Sequence, residues 1–82
     1  MDTIKEDLRN YILQEFLPGE KPANLKDDTP LRTSGILDSV ATLKVVTFVE
    51  DKYGIEVEAH EAGVANFDTI DAIASFVKSK KA

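Results

Sequence analysis

The stretch from Ser39 to Tyr53 constrains the fold of this chain more than any other. Asp38 stands before it and Gly54 after it. Between them Val40, Leu43, Val46, Val49 and Tyr53 recur at the spacing of one helical face, and Val45 and Phe48 extend that face. Thr42, Thr47 and the run Glu50-Asp51-Lys52 are left as its polar positions. A helix that is apolar over so much of its circumference is expected to be a central one, packed on several neighbours. Its β-branched residues lower its intrinsic helix propensity. Asp38 is a good N-cap, because its carboxylate can accept from the orphan N–H groups of the first turn. Gly54 is a natural stop at the C′ position.

The neighbours are legible on either side. Thr3 begins a first helix, and Glu6 completes a capping-box pattern with it. Ile4, Leu8, Tyr11, Ile12 and Phe16 give that helix one apolar stripe, widened by Leu13 and Leu17, and Pro18-Gly19 stops it. Near the other end Asp68 is expected to cap a last helix, with Asp71 at its N3 position. Ile70, Ile73, Ala74 and Val77 form the inner face of this helix and Phe76 its edge, and it should fray at Lys78-Ser79-Lys80-Lys81. Ile55 to Glu58 alternates like a strand without a partner and reads as an extended connector burying Ile55 and Val57. Ala59 to Ala65 reads as a short, weak helix interrupted by Gly63, with His60 on an exposed polar face. The connection from Pro18 to Leu37 is about 20 residues, long for so small a protein. Leu25, Leu31, Ile36 and Leu37 punctuate it, so it is expected to be ordered, with a turn at Asp28-Thr29-Pro30-Leu31. The fold class that follows is all-α: three main helices plus one short, with a long loop between the first two main ones.

Eighty-two residues are expected to make one domain, 1–82. A chain of this length buries only about 60–65% of its unfolded surface, so its stability should be on the order of 5 kcal/mol. It has no Cys and a single His, His60. That removes disulfides, thiolate nucleophiles and two-histidine metal sites from consideration. Asp27-Asp28 lacks the alternating oxygen ligands of a calcium loop, and no metal is expected. No apolar run approaches the roughly 20 residues of a membrane span, and no signal peptide opens the chain, so a soluble, cytoplasmic and monomeric protein is expected. The net charge of −5 argues against nucleic-acid binding and for partners with basic docking surfaces. Between Ser39 and Asp71 the acids Glu50, Asp51, Glu56, Glu58, Glu61, Asp68 and Asp71 face only Lys44 and Lys52. The lysine tail reads as cations placed against a helix C-terminus.

Chemistry concentrates at Thr33-Ser34-Gly35-Ile36-Leu37-Asp38-Ser39-Val40. Ser39 would occupy the first helical position, at the positive end of the helix dipole and close to backbone donors that suit a phosphate. That makes its hydroxyl a candidate for a phosphate ester, although Asp-Ser at a helix start is also ordinary capping chemistry. An unaided hydrolase using Ser39 is not supported, because no base is identifiable near it in sequence.

At these residues the chain resembles the acyl carrier proteins, including stand-alone carriers related to peptidyl carrier domains. The resemblance runs from the helix at Thr3 to the helix ending near Lys80. It is carried by Asp28-Thr29-Pro30-Leu31, by Gly35-Ile36-Leu37-Asp38-Ser39-Val40, by Phe48-Val49-Glu50-Asp51-Lys52-Tyr53-Gly54-Ile55 and by Phe67-Asp68-Thr69-Ile70. It implies that a separate phosphopantetheinyl transferase esterifies Ser39 with 4′-phosphopantetheine from coenzyme A. Acyl groups then ride as thioesters on that arm while partner enzymes do the chemistry, which would explain how a chain without Cys takes part in thiol chemistry. The resemblance further implies that Asp38 orients the site, that Gly35 gives the turn into it, and that Val40 is an exposed contact for partners; from the periodicity alone Val40 is equally a core residue.

Two departures bear on which enzymes recognise it. Many fatty-acid carriers place Leu after the Ser and acids along the next turns, where this chain has Val40, Ala41 and Lys44. An acidic docking face remains as Glu50 and Asp51, with Glu56, Glu58 and Glu61 beyond, and the residues expected to meet partners are Val40, Lys44, Glu50, Asp51 and Glu56. The expectation is a specialised carrier that serves an acyl or aminoacyl ligase and synthase-type enzymes in a polyketide, nonribosomal or modified-lipid pathway. The alternatives are an aminoacyl or peptidyl carrier for one dedicated ligase and, from another class, a cofactor-free acidic helical adaptor.

Overall fold

A computed structural model describes residues 3–21 and 24–81. Among the described residues four helices follow in order, α1 (Thr3–Phe16), α2 (Ser39–Tyr53), α3 (Val64–Phe67) and α4 (Ile70–Lys81), and a 3₁₀ turn (Ala59–Glu61) stands just before α3. There is no strand among the described residues, so the chain is all-α with three main helices and one short one, as its periodicity predicts.

The core is built from the expected faces of α1 and α4. Leu8, Ile12 and Leu13 of α1 and Ile70, Ile73, Ala74 and Val77 of α4 are buried. From the long loop Leu25, Leu31 and Leu37 join them, with Ile36 packed at the edge. The loop is therefore ordered by its own apolar side chains, each of which removes its surface from water. Ile55 and Val57 are half-buried in an extended connector. Gly54 ends α2 in the left-handed conformation (φ 66°), and its N–H donates to the Glu50 carbonyl.

Five expectations are corrected. On α2 the buried residues are Ala41, Thr42, Val45, Val46 and Val49, whereas Val40 and Leu43 are 64% and 61% exposed. The apolar surplus of α2 thus faces outward, and α4, which packs against α1, α2 and α3, is the common neighbour. Thr42 tolerates burial because its hydroxyl donates to the Asp38 carbonyl at 2.7 Å. Second, Thr69 and not Asp68 caps α4: its Oγ1 accepts the N–H of Ala72 at 2.9 Å, so Asp71 falls at N2. Third, the short helix expected over Ala59 to Ala65 is a 3₁₀ turn and then, after Gly63 in an extended conformation (φ −84°, ψ 179°), a separate helix that runs on to Phe67. Fourth, the lysine tail stays helical to Lys81, with Lys80 bonded to Glu61 at 2.7 Å and lying over Phe76, and Lys81 over the Tyr53 ring. Fifth, Thr3 is already helical and is not the N-cap of α1 that the capping-box pattern suggests.

Candidate functional site

The start of α2 is held from below. Asp38 is extended (φ −85°, ψ −172°), and its carboxylate accepts the N–H of Ala41 at 2.8 Å. Its carbonyl accepts both the N–H and the hydroxyl of Thr42, at 2.9 and 2.7 Å. Ala41 and Thr42 are buried, so these bonds fix the first turn against the core. Ser39 lies on the outer side of that turn and is exposed. Its hydroxyl bonds to no described residue, and the N–H groups of Ser39 and Val40 have no partner among the described residues. They are the open donors that every helix start leaves. Ser39 thus presents an unhindered oxygen on a rigid element beside free amides, an arrangement that suits an oxyanion ester.

The approach to Ser39 is fixed from a distance. Gly35 turns the chain at φ +87°, with its N–H donating to the Arg32 carbonyl at 3.2 Å. A side chain there would strain the backbone although the space beside it is open. The Leu37 N–H donates to the Leu31 carbonyl at 2.8 Å, closing the loop on itself. The Asp68 carboxylate, freed from capping α4, accepts the N–H groups of Arg32 and Thr33 at 3.0 Å each. These bonds, that to Thr33 foremost, hold its carboxyl below the usual carboxylate range. The Leu31 N–H donates to the Asp68 carbonyl, and the Asp71 N–H to the Asp27 carbonyl at 3.0 Å. Arg9 pairs with Asp27, and Lys5 reaches both Asp27 and Asp71. The loop that delivers Ser39 is thus tied to α1 and to the α3–α4 corner.

Beside Ser39 the outward apolar face of α2 meets α1. Tyr11 stacks on Phe48 with ring centroids 4.1 Å apart, and the Tyr11 hydroxyl donates to the Lys44 carbonyl at 3.2 Å. Burial, and then the charge of Glu15, raises the Tyr11 phenol above its ordinary pKa. These rings form a wall of a groove of about 680 Å³ lined also by Val40, Leu43, Thr47 and the charged Lys44, Asp51 and Lys52.

The expected docking residues are not equivalent. Val40, Lys44, Asp51 and Glu56 are exposed. Glu50 is half-buried, and its carboxylate accepts the N–H of Val57 at 2.9 Å, which commits it to holding the connector after α2. His60 is exposed on its turn, with Nε2 3.8 Å from Glu58. Lys80 holds the Glu61 carboxyl below its usual range, and Glu61 in turn raises the Lys80 ammonium. The sequence reading missed two things at this site: Asp68 as the anchor of the loop, and the Tyr11–Phe48 groove. The sequence signal for the groove was present, since α2 has more apolar residues than one face can bury.

No family model matches the chain. Among curated proteins it is similar to the probable acyl carrier protein PigG of Serratia sp. (strain ATCC 39006), with 33% identity over 79 residues, which is 96% of this chain and 90% of that protein.

Proposed function

The chain belongs to the acyl carrier protein family, and from that premise we propose that it carries acyl groups on a 4′-phosphopantetheine arm esterified to Ser39. The observation that supports this reading best is the isolation of the Ser39 hydroxyl. It is exposed, bonded to no described residue and set on a turn that Asp38 pins to the core. A hydroxyl with no base of its own is a poor catalyst, but it is a good acceptor for an enzyme that brings the base. When attached, the arm supplies the thiol this chain lacks and holds an acyl group as a thioester. Asp38 keeps the attachment point rigid, and Gly35 and the Asp68-anchored loop set the chain's path into it.

On this reading the protein is a substrate and partner of other enzymes and not an enzyme itself. Its partners are a phosphopantetheinyl transferase and acyl or aminoacyl ligases or synthases. Val40 and Leu43 would be the apolar centre of the contact, and Asp51 and Glu56 its acidic side. Lys44, a cation at the heart of that surface, supports a dedicated partner in a specialised pathway over a general fatty-acid role. No helix among the described residues is long and apolar enough to cross a membrane.

Thiol titration tests the proposal directly, because the chain has no Cys. After incubation with coenzyme A and a promiscuous phosphopantetheinyl transferase, the desalted protein should show one thiol per chain. No thiol with several such transferases would contradict the reading.

A further inference from the structure

The outer side of α2 carries its charges in a fixed order. Val40, Lys44, Thr47 and Asp51 follow one another at helical spacing and lie in one row with Leu43 beside it, and all of them are exposed. The row starts next to Ser39 with an apolar side chain and passes a cation one turn on. It ends on an anion about 10 Å beyond that cation at the rise of a helix. Neither Lys44 nor Asp51 forms an ion pair with a described residue. The other charges of α2 are engaged: Glu50 accepts the Val57 N–H, and the Lys52 ammonium lies 3.9 Å from the Asp7 carboxylate. The row is also held still, because the Tyr11 hydroxyl donates to the Lys44 carbonyl and Asp38 pins the first turn. Lys44 lines both the groove against Tyr11 and a smaller hollow beside Asp38, so its charge stands on the approach to Ser39.

We infer that Lys44 sets which enzymes reach Ser39: it turns away a docking surface that is basic throughout and admits one that places a carboxylate beside Lys44 and a cation beside Asp51. The inference rests on the proposed attachment at Ser39 and names the chemistry of the enzymes that act there. At a distance only the sum of charges counts, and the net charge of −5 draws basic surfaces in. In contact the local order decides. An enzyme that acts on Ser39 and covers Val40 and Leu43 comes down on Lys44 as well. A cation opposite Lys44 is repelled at short range, and the repulsion grows as the apolar patch excludes water. A carboxylate in the same place is attracted for the same reason. Asp51, two turns on, reverses the requirement, so the two charges together also fix which way round the enzyme lies. The occupant is an enzyme and not a second copy of this chain, because two copies at −5 each repel and a copy seated on Val40 would crowd Ser39.

The test is a charge-swap cycle with a promiscuous phosphopantetheinyl transferase whose docking surface is basic, and with variants of it in which each basic docking residue in turn is reversed to Glu. Initial rates of modification by coenzyme A are read by intact mass for the wild type, Lys44→Met and Lys44→Glu, both variants being helical by circular dichroism. If none of these enzymes modifies the wild type, the proposed attachment itself fails, and this inference with it. With modification confirmed, the unaltered transferase should act faster on Lys44→Met than on the wild type and several-fold faster on Lys44→Glu, with the differences shrinking as salt rises. At least one reversed transferase should invert that order and prefer the wild type, which is the coupling a direct charge contact requires. Equal rates on the wild type and Lys44→Glu, or a gain in Lys44→Glu no larger than in Lys44→Met, would overturn Lys44 as the selecting charge while leaving the attachment intact. A preference for Lys44→Glu that every active reversed transferase keeps undiminished would overturn it too. So would a wild-type dimer at the assay concentration, read by light scattering, that Lys44→Glu dissociates, since that result assigns the row to a second copy.

Discussion

Asp68 and Thr33 are joined across 35 residues, with the carboxylate accepting the Thr33 N–H at 3.0 Å and lying 3.3 Å from its hydroxyl. This bond, with that to Arg32, ties the loop before Ser39 to the corner between α3 and α4. Because the folded-state pKa of Asp68 is depressed, its contribution is present above the unfolded pKa and is lost as pH falls through the folded one. Asp68→Asn should therefore lower Tm near neutral pH and lose part of the wild type's acid sensitivity. Hydrogen exchange should quicken at Leu31, Arg32 and Thr33 and not within α1. Unchanged exchange at these amides would remove Asp68 as the anchor.

Two glycines separate site from scaffold. Gly35 and Gly54 both sit at positive φ with open space beside them, so an added methyl meets only the backbone penalty of about 1–2 kcal/mol. Gly54→Ala should lower stability by about that amount and leave modification of Ser39 unchanged at temperatures where the protein is folded. Gly35→Ala should cost a similar amount and also slow modification, since it bends the path into Ser39. Chemical denaturation and a transferase time course read the two effects separately.

The orientation of α2 can be tested by truncation. Ile73→Ala, at the buried centre of α4, should cost about 2–5 kcal/mol. That is comparable to the whole stability expected of so small a protein, so the variant should be largely unfolded. Leu43→Ala should fall within about 0.5 kcal/mol of the wild type, as exposed positions do. A large loss at Leu43 would restore the inward-facing assignment that its place on the Val40–Tyr53 helical face suggests.

Glu50 and Asp51 are neighbours in sequence with different expected phenotypes. Asp51→Lys should leave Tm nearly unchanged and slow loading by a partner enzyme more than Glu6→Lys does, with the difference shrinking as salt rises. Glu50→Lys should lower Tm, because the Val57 N–H loses its acceptor. Equal Tm values for the two variants would contradict the structural role of Glu50.

The helices were legible because their apolar spacing is regular and their ends carry strong signals. Asp38 and Gly54 bound α2 where the sequence places its limits, and Leu25, Leu31 and Leu37 order the long loop as expected. What escaped was the choice between equivalent neighbours. Asp68 and Thr69 are both good caps, and only the tertiary demand of two loop amides decides that Asp68 serves the loop and Thr69 the helix. Likewise Val40 and Ala41 both follow Ser39, and helical phase alone does not say which side the core will take when both sides are apolar. At the site, the cap and the turn at Gly35 could be read from local residue types. The apolar surplus of α2 signals an unburied face but not the groove's second wall, because Tyr11 and Phe48 meet only through the packing of α1 on α2.

Intact mass spectrometry of wild type and Ser39→Ala, each incubated with coenzyme A and a promiscuous phosphopantetheinyl transferase, tests the central claim most directly. The wild type should gain one phosphopantetheinyl unit, and Ser39→Ala, helical by circular dichroism, should gain none. A gain that persists in Ser39→Ala would contradict the assignment of the attachment site, and no gain in the wild type would contradict the carrier function itself.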